Sequence, residues 1–247
     1  RDEILLRKSL ISVNTVVHLA GISDGRAGKL NPAKTKEINS GPFQKLIQLC
    51  TESGIKKFLF ASTFGVYGKY QGVPFTENMS LNPEDPYSVT KLICEEILHS
   101  DSSKINAVAL RIAICYGNSP GMRWDFLVNQ LTLEALQKNE ITVFGGLQNR
   151  PLIHIKDVAN LFVHLIKNNI DSCSGNSYNV VSENSCISDI AEEIKKQIPS
   201  TDIIIKMRDK EEESFAVNGK RLENEMHFIP KLRISDGIRE IIHEYKK

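Results

Sequence analysis

Short apolar runs alternating with stretches of helical hydrophobic spacing set the rhythm of this chain. Thr15-Val16-Val17-His18-Leu19 reads as a strand, and Phe58-Leu59-Phe60-Ala61 as a buried parallel strand that ends in the hydroxyls of Ser62 and Thr63. Between them lie a loop from Ile22 to Ala33 and one predicted helix, about Thr35 to Ser53. A glycine-marked loop (Gly65, Gly68, Gly72, then Pro74) leads to Pro83 and Pro86, which punctuate the entry to a helix beginning near Tyr87. Asn106 to Ile114 is another buried strand. Asn118 to Gly121 is a turn cluster, followed by an amphipathic helix carrying Phe126, Leu127, Leu131, Leu133 and Leu136, and by the strand Ile141 to Phe144. Beyond it come a strand at Ser177 to Val181, a helix from Ile187 to Ile198, a strand at Ile203 to Lys206 and a last helix from Ser235 to Tyr245. Such alternation predicts an α/β fold, a mostly parallel sheet flanked by helices.

Composition narrows the function classes. At 247 residues the chain fits one large domain, or a main domain with a smaller lobe. Thirty-one Lys and Arg against 30 Asp and Glu leave a net charge of +1, so no global field recruits nucleic acid or an acidic membrane. No apolar run reaches the roughly 18 residues of a membrane span, and no signal-like start is present. Five cysteines form an odd set without CxxC spacing, and four sit in or beside apolar runs, as core thiols do. A reduced, cytoplasmic protein without a metal is expected. The charge run Lys206 to Glu213 is expected to be solvated surface.

Candidate chemistry gathers between Lys57 and Lys91. Tyr87 and Lys91 are four apart on a predicted helix, a spacing that stacks them on one face. An ammonium so placed is expected to lower the phenol's pKa by favouring the phenolate, which makes Tyr87 a candidate general base or acid. Thr63, at the end of the preceding strand, supplies a hydroxyl at the sheet edge where ligands collect.

Thr63, then Val66-Tyr67-Gly68, then Tyr87-x-x-x-Lys91 together resemble the Ser/Thr, VYG and YxxxK pattern of the extended short-chain dehydrogenase/reductases, which include the nucleotide-sugar epimerases and dehydratases. Leu110-Arg111 with Tyr116-Gly117, Arg150 to Asp157, and Tyr178-Asn179-Val180 match further segments, so the likeness covers nearly the whole chain. The resemblance implies a Rossmann-like sheet in residues 1–120, lacking its first strands, and a mostly substrate-binding lobe in 121–247 interleaved with the last strands of the sheet. It implies NAD as cofactor, with NADP possible, at Leu19, Ala20, Gly21, Ala61, Ser62, Tyr87 and Lys91. A nucleoside-diphosphate sugar is implied as substrate, contacted by Thr63, Arg150 and Tyr116, with Arg150 on the diphosphate, and a homodimer is expected. The family's glycine-rich phosphate loop is expected to precede Arg1. Gly21 to Gly28 does not read as that loop, because no second strand with a terminal acid follows it in time. Asn39 matches an Asn that braces neighbouring strands. Two positions depart from the pattern: Ile114 replaces an Asn that touches the nucleotide sugar in many relatives, and Pro151 replaces an Asp. His154 is expected to be structural, and Asp157 to cap the helix that it begins.

The family runs several chemistries, and the residues after Thr63 sort them. Dehydratases follow the Thr with an Asp-Glu pair, and decarboxylating members place a Glu just before VYG. This chain has Phe64 and Gly65, neither of which moves a proton. What the resemblance then implies is reversible oxidation at a sugar carbon. In a 4-epimerase, Tyr87 takes the C4 hydroxyl proton while hydride passes to NAD, and the 4-keto sugar is reduced on its other face. Thr63 would hold the reacting oxygen, and Lys91 the nicotinamide ribose. A 4-ketoreductase using NADPH would share every residue named. A non-catalytic scaffold relative is the reading from another class.

Overall fold

The computed structural model describes residues 2–69, 72–100, 105–207 and 213–247. In chain order the elements are α1 (Glu3–Ser9), β1 (Thr15–His18), α2 (Gly25–Leu30), α3 (Pro32–Asn39), α4 (Phe43–Glu52), β2 (Lys57–Thr63), α5 (Pro86–Ser100), β3 (Asn106–Ile112) and β4 (Ile114–Tyr116). They continue with α6 (Leu127–Lys138), β5 (Glu140–Phe144), β6 (Asn149–His154), α7 (Ile155–Lys167), β7 (Asn176–Val180), β8 (Glu183–Cys186), α8 (Ile187–Gln197), β9 (Asp202–Lys206), α9 (Lys220–Met226) and α10 (Ile234–Tyr245).

Among these, β1, β2, β3 and β7 form a parallel sheet in that order. This sheet is buried on both faces, which explains the continuous apolar runs of β2 and β3. Phe58, Phe60, Ala107 and Ala109 point to a core closed by α4 and α5, whereas Leu59, Val108 and Leu110 point to one closed by α7 and α9. A second sheet, β4-β6-β8, and the pair β5-β9 belong to a lobe with its own core, built on Val128, Leu131, Ile141, Leu152, Ile190 and Ile238. The mostly parallel sheet between helices is the Rossmann-like arrangement expected.

Four local expectations are corrected. The single helix over 35–53 is two helices, α3 and α4, broken at Ser40-Gly41-Pro42. Pro42 has no N–H to continue the ladder, and a Cβ on Gly41 would lie 2.9 Å from the Glu37 carbonyl. The loop from Ile22 to Ala33 contains α2, capped by Asp24, which accepts from the Ala27 N–H at 2.9 Å. The strand from Asn106 to Ile114 divides at Ala113, whose N–H donates to the Val180 carbonyl at 3.0 Å, and β4 then joins the other sheet. Asp157 does not cap α7. His154 does so through Nδ1, while Asp157 Oδ2 accepts from the Lys231 and Leu232 N–H groups at 2.9 and 2.8 Å and anchors the approach to α10. Most of the expected solvated charge run, residues 208–212, lies outside the described residues.

Candidate active site

The start of α5 is written in its sequence. Pro86 sits at the first helical position, and Asp85 Oδ1 before it accepts from the Ser88 N–H at 3.0 Å, with the Ser88 hydroxyl on Oδ2 at 2.6 Å. This fixes Tyr87 one residue inside the helix, beside the end of β2. Lys91, one turn on, is only 6% exposed and donates from Nζ to the Ala61 carbonyl at 2.6 Å. The same ammonium lies 4.8 Å from the Phe60 ring centroid and 5.7 Å from that of Tyr87. Thr63 accepts from the Gly65 N–H at 3.2 Å, and its hydroxyl lies near enough to the Tyr87 phenol to favour the phenolate. The structure thus brings Thr63, Tyr87, Lys91 and Ala61 together at one sheet edge.

The electrostatics correct one expectation. The Tyr87 phenol is not lowered but pushed well above the usual tyrosine range: burial is the main cause, the nearby Thr63 hydroxyl opposes it, and Asp85, Cys115 and Asp24 add to it. Burial lowers Lys91 to about 8, against smaller pulls from Cys94 and Glu95. His18, at the end of β1, falls to about 4 through burial and the Lys91 charge, so it is neutral at pH 7. Burial raises the Cys115 thiol to about 12, so it stays protonated.

The remaining predicted residues are placed as follows. Gly21 has φ +148 and its Cα faces Asn39, whose Oδ1 would be 2.7 Å from an added Cβ. Asn39 brackets the loop at this point: Oδ1 accepts from the Ile22 N–H at 2.8 Å, and Nδ2 donates to the Ile22 carbonyl and the Thr90 hydroxyl. Leu19 and Ala20 are exposed after β1. The Ser62 hydroxyl turns to the opposite face and donates to Glu95, so only its backbone stands near the edge. The Arg150 Nη1 donates to the Asn149 and Glu213 carbonyls at 2.9 and 2.7 Å, with its guanidinium 5.5 Å from the Phe215 ring centroid, and Phe215 in turn meets Phe64 at 6.0 Å. That chain of contacts leads from Arg150 to the residue beside Thr63. Tyr116 is not among the gathered side chains. It is 1% exposed in the lobe core, its ring against His154, and its hydroxyl donates to Glu183 and the Leu232 carbonyl.

Two residues at the site escape sequence reasoning. Asp24 carries a local signal, a capping carboxylate ahead of an N3 amide. Arg123, which pairs with it across 99 positions, carries none.

The family model described as "NAD dependent epimerase/dehydratase family" matches residues 2–180. A Bacillus subtilis (strain 168) protein named as an uncharacterized UDP-glucose epimerase is 37% identical over 158 residues, 62% of this chain and 48% of that one. A putative UDP-glucose 4-epimerase of Methanocaldococcus jannaschii is 26% identical over 243 residues, 95% of this chain and 77% of its own length. The chain spans about half the length of most of the curated relatives it matches. Among solved structures, UDP-glucuronic acid 4-epimerase from Bacillus cereus, in complex with UDP-glucuronic acid and NAD, superposes with a TM-score of 0.85 at 26% identity, covering 98% of this chain and 78% of that one.

The residues present fit one end of a dinucleotide. Lys91, Tyr87 and the open backbone at Gly21 line the C-terminal edge of β1 and β2, where a ribose and nicotinamide need a cation, a hydroxyl and close backbone approach. The glycines after β1 are spent otherwise. Asp24 takes the N–H groups at the start of α2, and Gly28 seats against Tyr87, where a Cβ would lie 3.0 Å from its Cβ and amide nitrogen.

Proposed function

The chain belongs to the NAD dependent epimerase/dehydratase family, and from that premise we propose that it is the catalytic part of a nucleotide-sugar epimerase acting at C4 through a transient 4-keto sugar. The observation that carries this reading is the convergence of Thr63, Tyr87 and Lys91 on one sheet edge with Phe64, not an acid, beside Thr63. A hydroxyl, a phenol and an ammonium can move a proton on and off a sugar hydroxyl. Without a neighbouring carboxylate in the position after Thr63, they do not eliminate water from the ring.

The roles follow from the geometry. Tyr87 takes the proton that leaves the C4 oxygen and returns it, and Thr63, beside it, steers that oxygen toward the phenol. Lys91 holds the ribose end of the cofactor and supplies a positive charge below about pH 8; taking the sugar's proton requires Tyr87 as the phenolate, which burial disfavours and a nearby positive charge favours. NAD, when bound, supplies the acceptor and donor of hydride. Arg150, at the start of β6, is the forked donor for the substrate diphosphate. Relatives named as UDP-glucose 4-epimerases and a structural neighbour holding UDP-glucuronic acid support a UDP-sugar as substrate.

The test is direct. The complete protein is incubated with NAD and UDP-glucose, UDP-galactose or UDP-glucuronic acid, and the sugar is followed by proton NMR. Interconversion of C4 epimers is expected. No interconversion, with NADPH consumed when a nucleotide 4-keto sugar is supplied in their place, would replace the epimerase by a ketoreductase.

A further inference from the structure

We propose that Arg123, paired with Asp24 across the mouth of the site, is a positioning residue that straps the substrate lobe to the helix on which Tyr87 is seated. The activity arm of this inference rests on Tyr87 being the proton-transfer group proposed above.

Each link is a close contact. Arg123 Nη2 lies 3.0 Å from Asp24 Oδ2, and Nη1 donates to the Ser23 hydroxyl at 3.2 Å. The fork is aimed from behind, because Asp125 takes Nε and Nη2 at 2.8 and 2.7 Å and the guanidinium lies 4.4 Å from the Phe126 ring centroid. The arm springs from a fixed point. Buried Asn129 donates to the Arg123 carbonyl at 3.0 Å and accepts from the Gly117 N–H at 3.0 Å, tying it to the end of β4. On the other side Asp24 is the cap of α2, and α2 packs closely on the start of α5, Gly28 against the Tyr87 backbone and Cβ and Gly25 against the Asp85 carboxyl just before it. A shift of the lobe therefore reaches the catalytic phenol through one ion pair and one glycine contact.

The pair also has an electrostatic duty. The groups that face Tyr87 are Asp24 from α2, Asp85 before α5, Lys91 on α5, Cys115 on β4 and Thr63 on β2. Burial works to raise the Asp24 carboxyl, but the Ala27 N–H and the Arg123 guanidinium hold it below the usual range, so it is an anion that Arg123 compensates. Without that compensation the phenolate faces a bare carboxylate, and proton abstraction moves to higher pH. Both partners sit at the rim, 37% and 23% exposed, where an ion pair is weak enough to open for substrate and to close again.

The experiment compares the wild type with Arg123→Gln, Asp24→Asn and the double variant. Asparagine still caps α2, so Asp24→Asn removes the pair without removing the cap. Hydrogen exchange of the α2 amides needs neither cofactor nor sugar. It is expected to quicken about two- to fivefold in each single variant, the range of an exposed ion pair, and no further in the double. In turnover of the nucleotide sugar by the complete protein, Arg123→Gln is expected to move the rising, acidic limb of the pH–rate profile to higher pH, and the added Asp24→Asn to return it. Unchanged α2 exchange overturns the strap. Faster exchange with an unmoved pH profile reduces Arg123 to a structural tie and overturns its positioning role. A wild type that turns over no nucleotide sugar sinks the epimerase reading instead, and leaves the exchange result to judge the strap.

Discussion

Arg111 and Glu95 face each other in a bidentate ion pair, Nη2 to Oε2 at 2.8 Å and Nε to both oxygens at 3.1 and 3.2 Å, with side chains only 4% and 1% exposed. The hydroxyls of Ser62 and Ser177 donate to the same carboxylate, and Arg111 Nη1 donates to the Tyr67 hydroxyl, which donates to Asn179. Thus β2, β3, β7 and α5 are pinned around one charge pair, one turn of α5 beyond Lys91. Removing one partner strands the other without water. Glu95→Ala is expected to cost about 3–5 kcal/mol of unfolding free energy, read from urea titrations, and a loss under 1 kcal/mol would show that water enters the network.

Tyr87→Phe deletes a single hydroxyl that stands near Thr63. Stability should fall by no more than about 1–1.5 kcal/mol, the net value of one hydrogen bond, whereas turnover of the nucleotide sugar should vanish because the proton has no acceptor. Near wild-type turnover by a correctly folded Tyr87→Phe protein would remove Tyr87 from the mechanism.

Lys91 gives a pH-dependent prediction. Its pKa falls from an ordinary 10.5 to about 8 on folding, so between those values the unfolded chain holds more protons than the native one and stability rises with pH. Below about pH 8 both states carry the ammonium, and the whole burial penalty is present. Relative to Lys91→Met, which has no charge to bury, the wild type should gain about 3 kcal/mol between pH 8 and 10.5. Thermal or urea unfolding of the pair across this window measures it, and parallel stability curves would place the native pKa near its ordinary value.

The site was legible to the extent that its signals are local. Tyr87 and Lys91 share a helix face because they are four apart, and Asp85-Pro86 announces where that helix starts. Phe58 to Ala61 could be read as a buried strand because both its faces are covered. The breaks were harder. A continuous apolar run from Asn106 to Ile114 does not reveal that Ala113 hands the chain to another sheet, and the Ile22–Ala33 loop hid a helix whose cap is one Asp. The phenol's direction was misjudged because spacing reveals the ammonium but not the depth of burial, nor that Lys91 spends a hydrogen bond on the Ala61 carbonyl. The Arg123–Asp24 pair is set by tertiary docking alone.

The last prediction concerns Arg150, the proposed grip on a diphosphate. Its guanidinium is preorganised: Nη1 rests on the Asn149 and Glu213 carbonyls, and the plane lies near Phe215, which contacts Phe64 beside Thr63. A chain with net charge +1 has no global field to attract a dianion, so affinity must come from a few local donors. Arg150→Lys keeps the charge but loses the fork and the guanidinium contact with the Phe215 ring. It should therefore weaken nucleotide-sugar binding by about 1–3 kcal/mol, the value of a charged hydrogen bond, seen as a raised KM with kcat nearly kept. Cofactor binding should not change, since Arg150 stands on β6 in the second sheet, whereas Lys91 lies on α5 against the first. An unchanged KM would take Arg150 off the diphosphate and, with Ile114 where many relatives have Asn, would point to a smaller carbonyl substrate held by the apolar wall of Phe64 and Phe215.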